Sequence, residues 1–264
     1  MNTSVPQRSR PLLLLVAGAK GTVASTLAVA ITAMQRDPDT ILPSLTTGKL
    51  FTHLGSPELT TMAGWDINTK PLISCIEDQG VVPENLWKPY STALNQIPVR
   101  QPPLSSQNLR KQIEYLQQDI RTFMETHPTS QPVFINLLPA GAEMDLKSYQ
   151  KVSDLYAKGT FEDFPDLPFT LAAIHSEVPV VNFTPNCIEV PAITKEAEKY
   201  GIPIAGRDGK TGQTYFKVAL ASALKARNLC VDGWYSLNIL VNADGINLMN
   251  PEKAAGKLAN KTEL

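Results

Sequence analysis

The stretch Leu12-Leu13-Leu14-Leu15-Val16-Ala17-Gly18-Ala19-Lys20-Gly21-Thr22-Val23-Ala24 decides the fold. Leu12–Val16 is a short continuous apolar run, the pattern of a strand buried on both faces of a parallel sheet. Gly18 to Ala24 is a small-residue turn, and Ala24–Met34 reads as a helix. The whole is strand, glycine turn, helix, in which the helix N-terminus receives a pyrophosphate. The general Gly-x-Gly-x-x-Gly fingerprint is not met, because only Gly18 and Gly21 are present, and the turn alone is a weak nucleotide signal. Lys20 either meets a phosphate or points to solvent. A secretory leader is the competing reading, since Arg8 and Arg10 precede the apolar run and Ala17-Gly18-Ala19 imitates a cleavage site. The helical pattern directly after the turn favours the strand.

Downstream, residues 41–105 read as irregular, rich in Pro, Thr and Ser. No acid lies about twenty positions after the glycines, where a ribose-binding carboxylate is usually sought. The nearest candidate is Asp66 in Gly64-Trp65-Asp66-Ile67, which either contacts a ribose or caps the next segment. From Ser106 an amphipathic helix carries Leu109, Ile113, Leu116, Ile120 and Phe123 at helical spacing, a stripe that is simply core. Pro132–Leu138 reads as a buried parallel strand with Pro139-Ala140-Gly141-Ala142-Glu143 at its carboxyl end. Phe169–Glu177 reads as a short helix whose His175 is a surface or capping residue rather than a base. Val178–Phe183 and Ile202–Ala205 read as strands, with a helix between them opened by Pro191 and closed by Gly201. Strands alternating with helices at this rhythm predict an α/β, doubly wound parallel sheet.

Composition narrows the class. The 264 residues carry a net charge of −1, with 43% hydrophobic and 19% charged residues, ordinary for a soluble globular protein. There is no basic block, which argues against nucleic acid, and no apolar run approaches the ~20 residues that span a bilayer. Cys75, Cys187 and Cys230 are scattered, without a Cys-x-x-Cys pair, which fits a reducing cytoplasm rather than a disulfide framework or structural zinc.

The chemistry-bearing stretch begins at Gly206-Arg207-Asp208-Gly209-Lys210-Thr211-Gly212-Gln213-Thr214, a loop of small residues that permit positive φ and close backbone approach. Asn238 and Asn242 follow near the end of a strand-like run, and Asp244-Gly245 makes a turn. Lys257 and Lys261 are four apart and share a face if helical, where like charges repel unless an anion sits between them. Taken alone, this is also the pattern of a surface turn followed by solvated lysines.

These motifs resemble, in order and spacing, those of the myo-inositol-1-phosphate synthase family, also called inositol-3-phosphate synthase. That family has Gly-Asp-Asp-x-Lys-[Ser/Thr]-Gly-Gln-Thr, then Tyr-Asn-x-Leu-Gly-Asn-x-Asp-Gly, then Ser-Lys-x-x-Ser-Lys. Gly64-Trp65-Asp66-Ile67, Ser25-Thr26 and Thr184-Pro185-Asn186 also resemble family motifs. Arg207 replaces the first Asp of the loop pair, Val241 replaces a Gly, and Ala140 and Glu143 are what remain of Thr-Ala-Asn-Thr-Glu.

The resemblance implies a Rossmann-like NAD-binding domain over 1–214 and the start of a second, α+β catalytic and oligomerisation domain over 215–264. It implies a cytoplasmic homotetramer acting on a sugar phosphate. The reaction is the redox-neutral conversion of D-glucose 6-phosphate to 1D-myo-inositol 3-phosphate, with NAD oxidising and later reducing the same molecule, and with a mono- or divalent cation in some members. Gly18, Ala19, Lys20, Gly21, Thr22, Val23, Asp66, Ala140, Gly141, Asp208 and Thr211 would then contact the cofactor. Lys257 would transfer a proton at the hydroxyl that becomes a carbonyl, and Lys261 would stabilise the enolate. Asp208, Lys210, Asn238, Asn242 and Asp244 would hold cofactor, substrate hydroxyls and phosphate.

Family members continue beyond the position of Leu264, with further active-site lysines. The expectation is therefore a chain that is inactive or barely active alone, with an altered oligomer and apolar surface around Trp234–Leu240. The rival readings are a non-catalytic NAD-binding relic of that family and an ordinary dehydrogenase that releases its reduced nicotinamide.

Overall fold

The computed structural model describes residues 11–40, 57–139, 141, 146–162, 164–209, 213–235, 249 and 251. Among these, a parallel sheet is built from β1 (Leu12–Ala17), β2 (Thr60–Trp65), β3 (Val99–Arg100), β4 (Gln131–Asn136), β5 (Val180–Asn182) and β6 (Ile204–Ala205). Its order is β3-β2-β1-β4-β5-β6. The chain therefore starts at the centre, winds outward through β2 and β3, returns to the other side of β1, and winds outward again. All carboxyl ends lie along one edge, and the order reverses between β1 and β4, the place where open α/β sheets leave a ligand crevice.

The helices are α1 (Thr22–Arg36), α2 (Leu72–Gln79), α3 (Glu84–Trp87), α4 (Ser91–Asn95), α5 (Leu109–Thr126), α6 (Val152–Lys158), α7 (Asp166–His175), α8 (Pro191–Tyr200) and α9 (Gln213–Ala226). They cover both faces of the sheet. Leu13, Leu15 and Ala17 of β1 join the stripe of α5 and the apolar body of α7. Val16 points the other way, into a second core with Ala24, Ala28 and Ile31 of α1 and Leu72 and Ile76 of α2. A strand with helices on both faces must be apolar at every position, which is why β1 reads as an unbroken run. That settles the choice between leader and strand: Leu12–Ala17 is the central strand, hydrogen-bonded on both sides.

The expected elements are present with shifted ends. The helix expected from Ser106 begins at Leu109, because the Asn108 side chain accepts the Arg110 N–H and caps it. The helix expected over Phe169–Glu177 begins earlier, at Asp166, and is buried almost throughout. Pro191 does open α8, and Gly201 closes it in the left-handed conformation at φ +67°. Residues 41–105 are a correction. From Pro57 onward they are not irregular: they contain β2, three helices and β3. Thr60-Thr61-Met62-Ala63-Gly64-Trp65 lacks an apolar run, yet every residue in it but Thr61 is buried. Gly64 is required there, since a Cβ would lie 2.1 Å from the Val16 carbonyl oxygen on β1.

Among the described residues no helix is long and apolar enough to cross a membrane.

Candidate functional site

The turn after β1 is fixed by its backbone. Gly18 sits at φ +82°, and a Cβ there would come within 2.8 Å of the Leu137 carbonyl oxygen on the neighbouring strand's exit. The N–H groups of Gly18 and Ala19 both donate to the Trp65 carbonyl, at 2.9 and 3.0 Å. Gly21 then caps α1 without a side chain (φ −69°), its N–H donating to Gly18 O at 3.0 Å. The first intrahelical bond out of the cap is Ser25 N–H to Gly21 O at 2.8 Å. Thr22, Val23 and Ala24 therefore lie where helix geometry leaves N–H groups without an intrahelical partner. No acidic side chain stands in that first turn to neutralise the positive end of the dipole.

Lys20 takes neither of the two placements expected for it. Its ammonium donates to the Asn68 carbonyl at 2.6 Å and the Lys70 carbonyl at 2.7 Å, and the residue is only 9% exposed. Its N–H donates to Asp66 Oδ2 at 2.7 Å, while Asp66 Oδ1 accepts the Asn68 N–H at 2.8 Å. Gln79 adds a bond to the Lys20 carbonyl. Lys20 is thus a clip binding the glycine turn to the loop after β2. Asp66 caps that loop, one of its two expected roles. It stands at the carboxyl end of β2, next to the turn, and each of its oxygens retains a lone pair for a ribose hydroxyl. It lies far along the sequence because residues 41–56, outside the described residues, and the short helix at Pro57–Leu59 come between α1 and β2.

On the other side of the reversal, β4 and β5 end in a buried polar cluster that sequence reasoning did not find. Asn136 is fully buried, and its Nδ2 donates to Asp166 Oδ1 at 2.6 Å and to Asn182 Oδ1 at 3.1 Å. Asn186 Nδ2 donates to the same Asp166 Oδ1 at 3.0 Å and to the Pro139 carbonyl at 3.1 Å, while Asn186 Oδ1 accepts the Gly141 N–H. Asn182 Oδ1 also accepts from the Thr184 N–H and hydroxyl, which locks the Thr184-Pro185-Asn186 turn. Burial pushes the Asp166 carboxyl up from the usual range, against the two amide hydrogen bonds that favour its charged form. Glu189, four residues beyond Pro185, is also raised by burial, opposed by its backbone hydrogen bond and the Arg207 charge. The signal that was available is compositional: Asn at the last position of two adjacent apolar strands.

The loop after β6 has the backbone expected of it. Gly206 (φ +85°) and Asp208 (φ +64°) are both left-handed. A Cβ on Gly206 would lie 2.5 Å from the Asn182 carbonyl oxygen, and one on Gly209 only 2.2 Å from the Phe183 ring. Asp208 N–H donates to the Thr184 carbonyl at 2.8 Å, hooking this loop onto the β5 turn. His175 is at the C-terminus of α7, at the opposite edge of the sheet, its Nε2 3.0 Å from Glu196 Oε1. It cannot act on anything in the crevice.

The structure therefore gathers Gly18, Ala19, Gly21, Thr22, Val23, Asp66, Gly141 and Asp208 along one edge of the sheet. Ala140, Lys210, Thr211, Asn238, Asn242, Asp244, Lys257 and Lys261 lie outside the described residues. No cluster of three or more His, Cys, Asp or Glu placed to hold a metal ion occurs among the described residues.

Comparison with known proteins bears on what this edge is for. Residues 212–264 match the family model of myo-inositol-1-phosphate synthase. Inositol-3-phosphate synthase 1 of Bacteroides thetaiotaomicron is 34% identical over 157 residues, covering 56% of this chain and 36% of that protein. Inositol-3-phosphate synthase 1 of Plasmodium falciparum is 26% identical over 233 residues, covering 79% of this chain and 38% of its own length. The chain thus spans well under half of these curated relatives. The crystal structure of inositol-3-phosphate synthase from Caenorhabditis elegans shares the fold, with a TM-score of 0.69 at 20% identity over 84% of this chain and 53% of that one. Over these stretches the chain is similar in sequence to the inositol-3-phosphate synthases, and its Rossmann-like fold is shared with the solved one.

Proposed function

We propose that this chain is the dinucleotide-binding part of an inositol-3-phosphate synthase-type enzyme, taking NAD across the sheet edge at the β1/β4 reversal. One observation carries the reading: the N-terminus of α1 is capped by an exposed glycine, carries no acid, and stands beside a carboxylate fixed at the end of β2. These residues fit the cofactor. The amides of Thr22 and Val23 suit a pyrophosphate, Gly21 is exposed and brings no side chain to the turn, and Asp66 suits the adenosine ribose. On the other half of the edge, Gly141 and the Gly206–Gly209 loop would meet the nicotinamide side.

In this proposal the substrate is D-glucose 6-phosphate and the product 1D-myo-inositol 3-phosphate. The bound nicotinamide supplies a hydride acceptor that is restored within the same turnover. The chain's own contribution is orientation and proton movement. Asp208, held at positive φ against Thr184, faces the nicotinamide half. Lys257 moves the proton of the hydroxyl being oxidised, and Lys261 stabilises the developing enolate by charge. Lys210, Thr211, Asn238, Asn242 and Asp244 hold phosphate, ribose and substrate hydroxyls, with a mono- or divalent cation taken among the same loops. A cytoplasmic homo-oligomer completes the proposal.

The test is calorimetric titration of NAD into the 264-residue protein and into Gly21→Val. Gly21 has an ordinary φ, and its added Cβ would meet only Gly18 O, at 3.3 Å, so the variant should fold. The parent is expected to bind and the variant to lose binding. Equal binding by the two would move the site elsewhere, and no binding by the parent would end the proposal. In turnover assays, accumulation of NADH would favour a dehydrogenase over the redox-neutral reaction.

A further inference from the structure

We infer that Asp166 is a positioning residue for the nicotinamide half of the crevice, holding through one carboxylate oxygen the two exit loops on which that half is built. This rests on the NAD reading above and adds a residue that binds nothing in the crevice itself. Asp166 is the first residue of α7 and is wholly buried. Its Oδ1 accepts from both Asn136 and Asn186. Those two amides use their remaining atoms on backbone that leads into the crevice. Asn136 Oδ1 takes the Leu138 N–H at 3.2 Å, and Asn186 takes the Gly141 N–H and donates to the Pro139 carbonyl. Asn182 joins the cluster from β5 and fixes Thr184, on whose carbonyl the Asp208 loop hangs. Each loop on this side of the reversal is thus referred to one buried acceptor. Among the described residues the turn of the adenosine half is tied instead through Trp65, Asp66 and Lys20. A buried carboxylate oxygen shared by two amides is costly to desolvate, so its retention in a core asks for a positional reason. The second oxygen, Oδ2, is buried without a partner among the described residues.

The experiment compares NAD with AMP, which occupies only the adenosine half, by calorimetry on the parent, Asp166→Ala, Asp166→Asn and Asn186→Ala. Asp166→Ala should weaken NAD binding by about tenfold or more, the scale of a displaced contact set, and leave AMP affinity unchanged. Asp166→Asn keeps an oxygen in place and should return NAD affinity to within about threefold of the parent. If Asp166→Ala does not fold, Asn186→Ala must show the same selective loss. Equal loss of NAD and AMP, or no loss of either, would overturn the role of Asp166. Failure of the parent to bind NAD or AMP would overturn the nucleotide site, and this inference with it.

Discussion

Replacing Lys20 by Met asks what the ammonium in the glycine turn does. Met keeps the apolar stem and deletes the charge. Two hydrogen bonds are lost, to Asn68 O at 2.6 Å and Lys70 O at 2.7 Å, from a residue 9% exposed. A hydrogen bond from a charged donor contributes about 1.5–3 kcal/mol. Asn68 and Lys70 are themselves exposed, so water reaches their carbonyls in the variant and recovers part of the loss. With that recovery each bond costs about 1 kcal/mol net, leaving a destabilisation of about 2 kcal/mol for the pair. For a chain of this size that lowers the melting midpoint by roughly 4–8 °C. Scanning calorimetry reads the midpoint, and hydrogen exchange should quicken at the amides of residues 66–70, where the loop loses its anchor. An unchanged midpoint together with weaker binding of pyrophosphate would refute the reasoning, because it would mean that the ammonium serves an anion rather than the loop.

Three further outcomes are expected. Gly18→Ala should cost about 1–3 kcal/mol, since an L residue is strained at φ +82° and its Cβ would press on Leu137 O, whereas Gly21→Ala, at φ −69° with its Cβ 3.3 Å from Gly18 O, should cost less; urea unfolding of the two variants compares them. Trp65→Phe removes the indole donor to Asp119 Oδ2 (2.8 Å) and should cost about 1–3 kcal/mol; an unchanged denaturation midpoint would remove that bond from the account of β2. The Asp166 carboxyl is raised in the folded state, so the folded protein holds its proton to higher pH than the unfolded chain does. Its contribution is fully present below the ordinary carboxylate pKa of about 4 and is lost as pH rises through the raised value. The stability of Asp166→Asn relative to the parent should therefore increase as pH rises above that range, measured by denaturant midpoints across pH, and a pH-independent difference would contradict the shift.

How much of this was legible in the sequence varies by element. β1 was legible because a strand covered on both faces has no polar position, and α5 because its apolar stripe repeats at helical spacing over a long run. α8 was bounded by Pro191 and Gly201, residues whose backbone preferences differ at the two ends of a helix. β2 was not legible. Two threonines, an alanine and a glycine carry little apolar signal, and Gly64 is there for close approach to β1, which no local pattern reports. Asp66 could be named as a candidate but not placed, since its position depends on β2 lying beside β1. The clip role of Lys20 was hidden for the same reason: its acceptors are backbone carbonyls 48 and 50 residues away. The Asn136–Asp166–Asn182–Asn186 cluster comes from two strand ends, a helix start and a turn, and only the β4/β5 pairing unites them. The expected roles of the loop lysine and the two terminal lysines rest on the family resemblance, and those residues lie outside the described part of the chain.

Among the described residues, the sheet's two outermost strands, Val99–Arg100 and Ile204–Ala205, are each two residues long. Arg100 is drawn inward, paired with Asp119 and laid over the Phe123 ring at 4.9 Å from its centroid. A foreign extended segment arriving at either border would find only a couple of peptide groups to zip against, too few to hold it. At these two borders strand-by-strand polymerisation, the usual hazard of an open sheet, is thereby blunted.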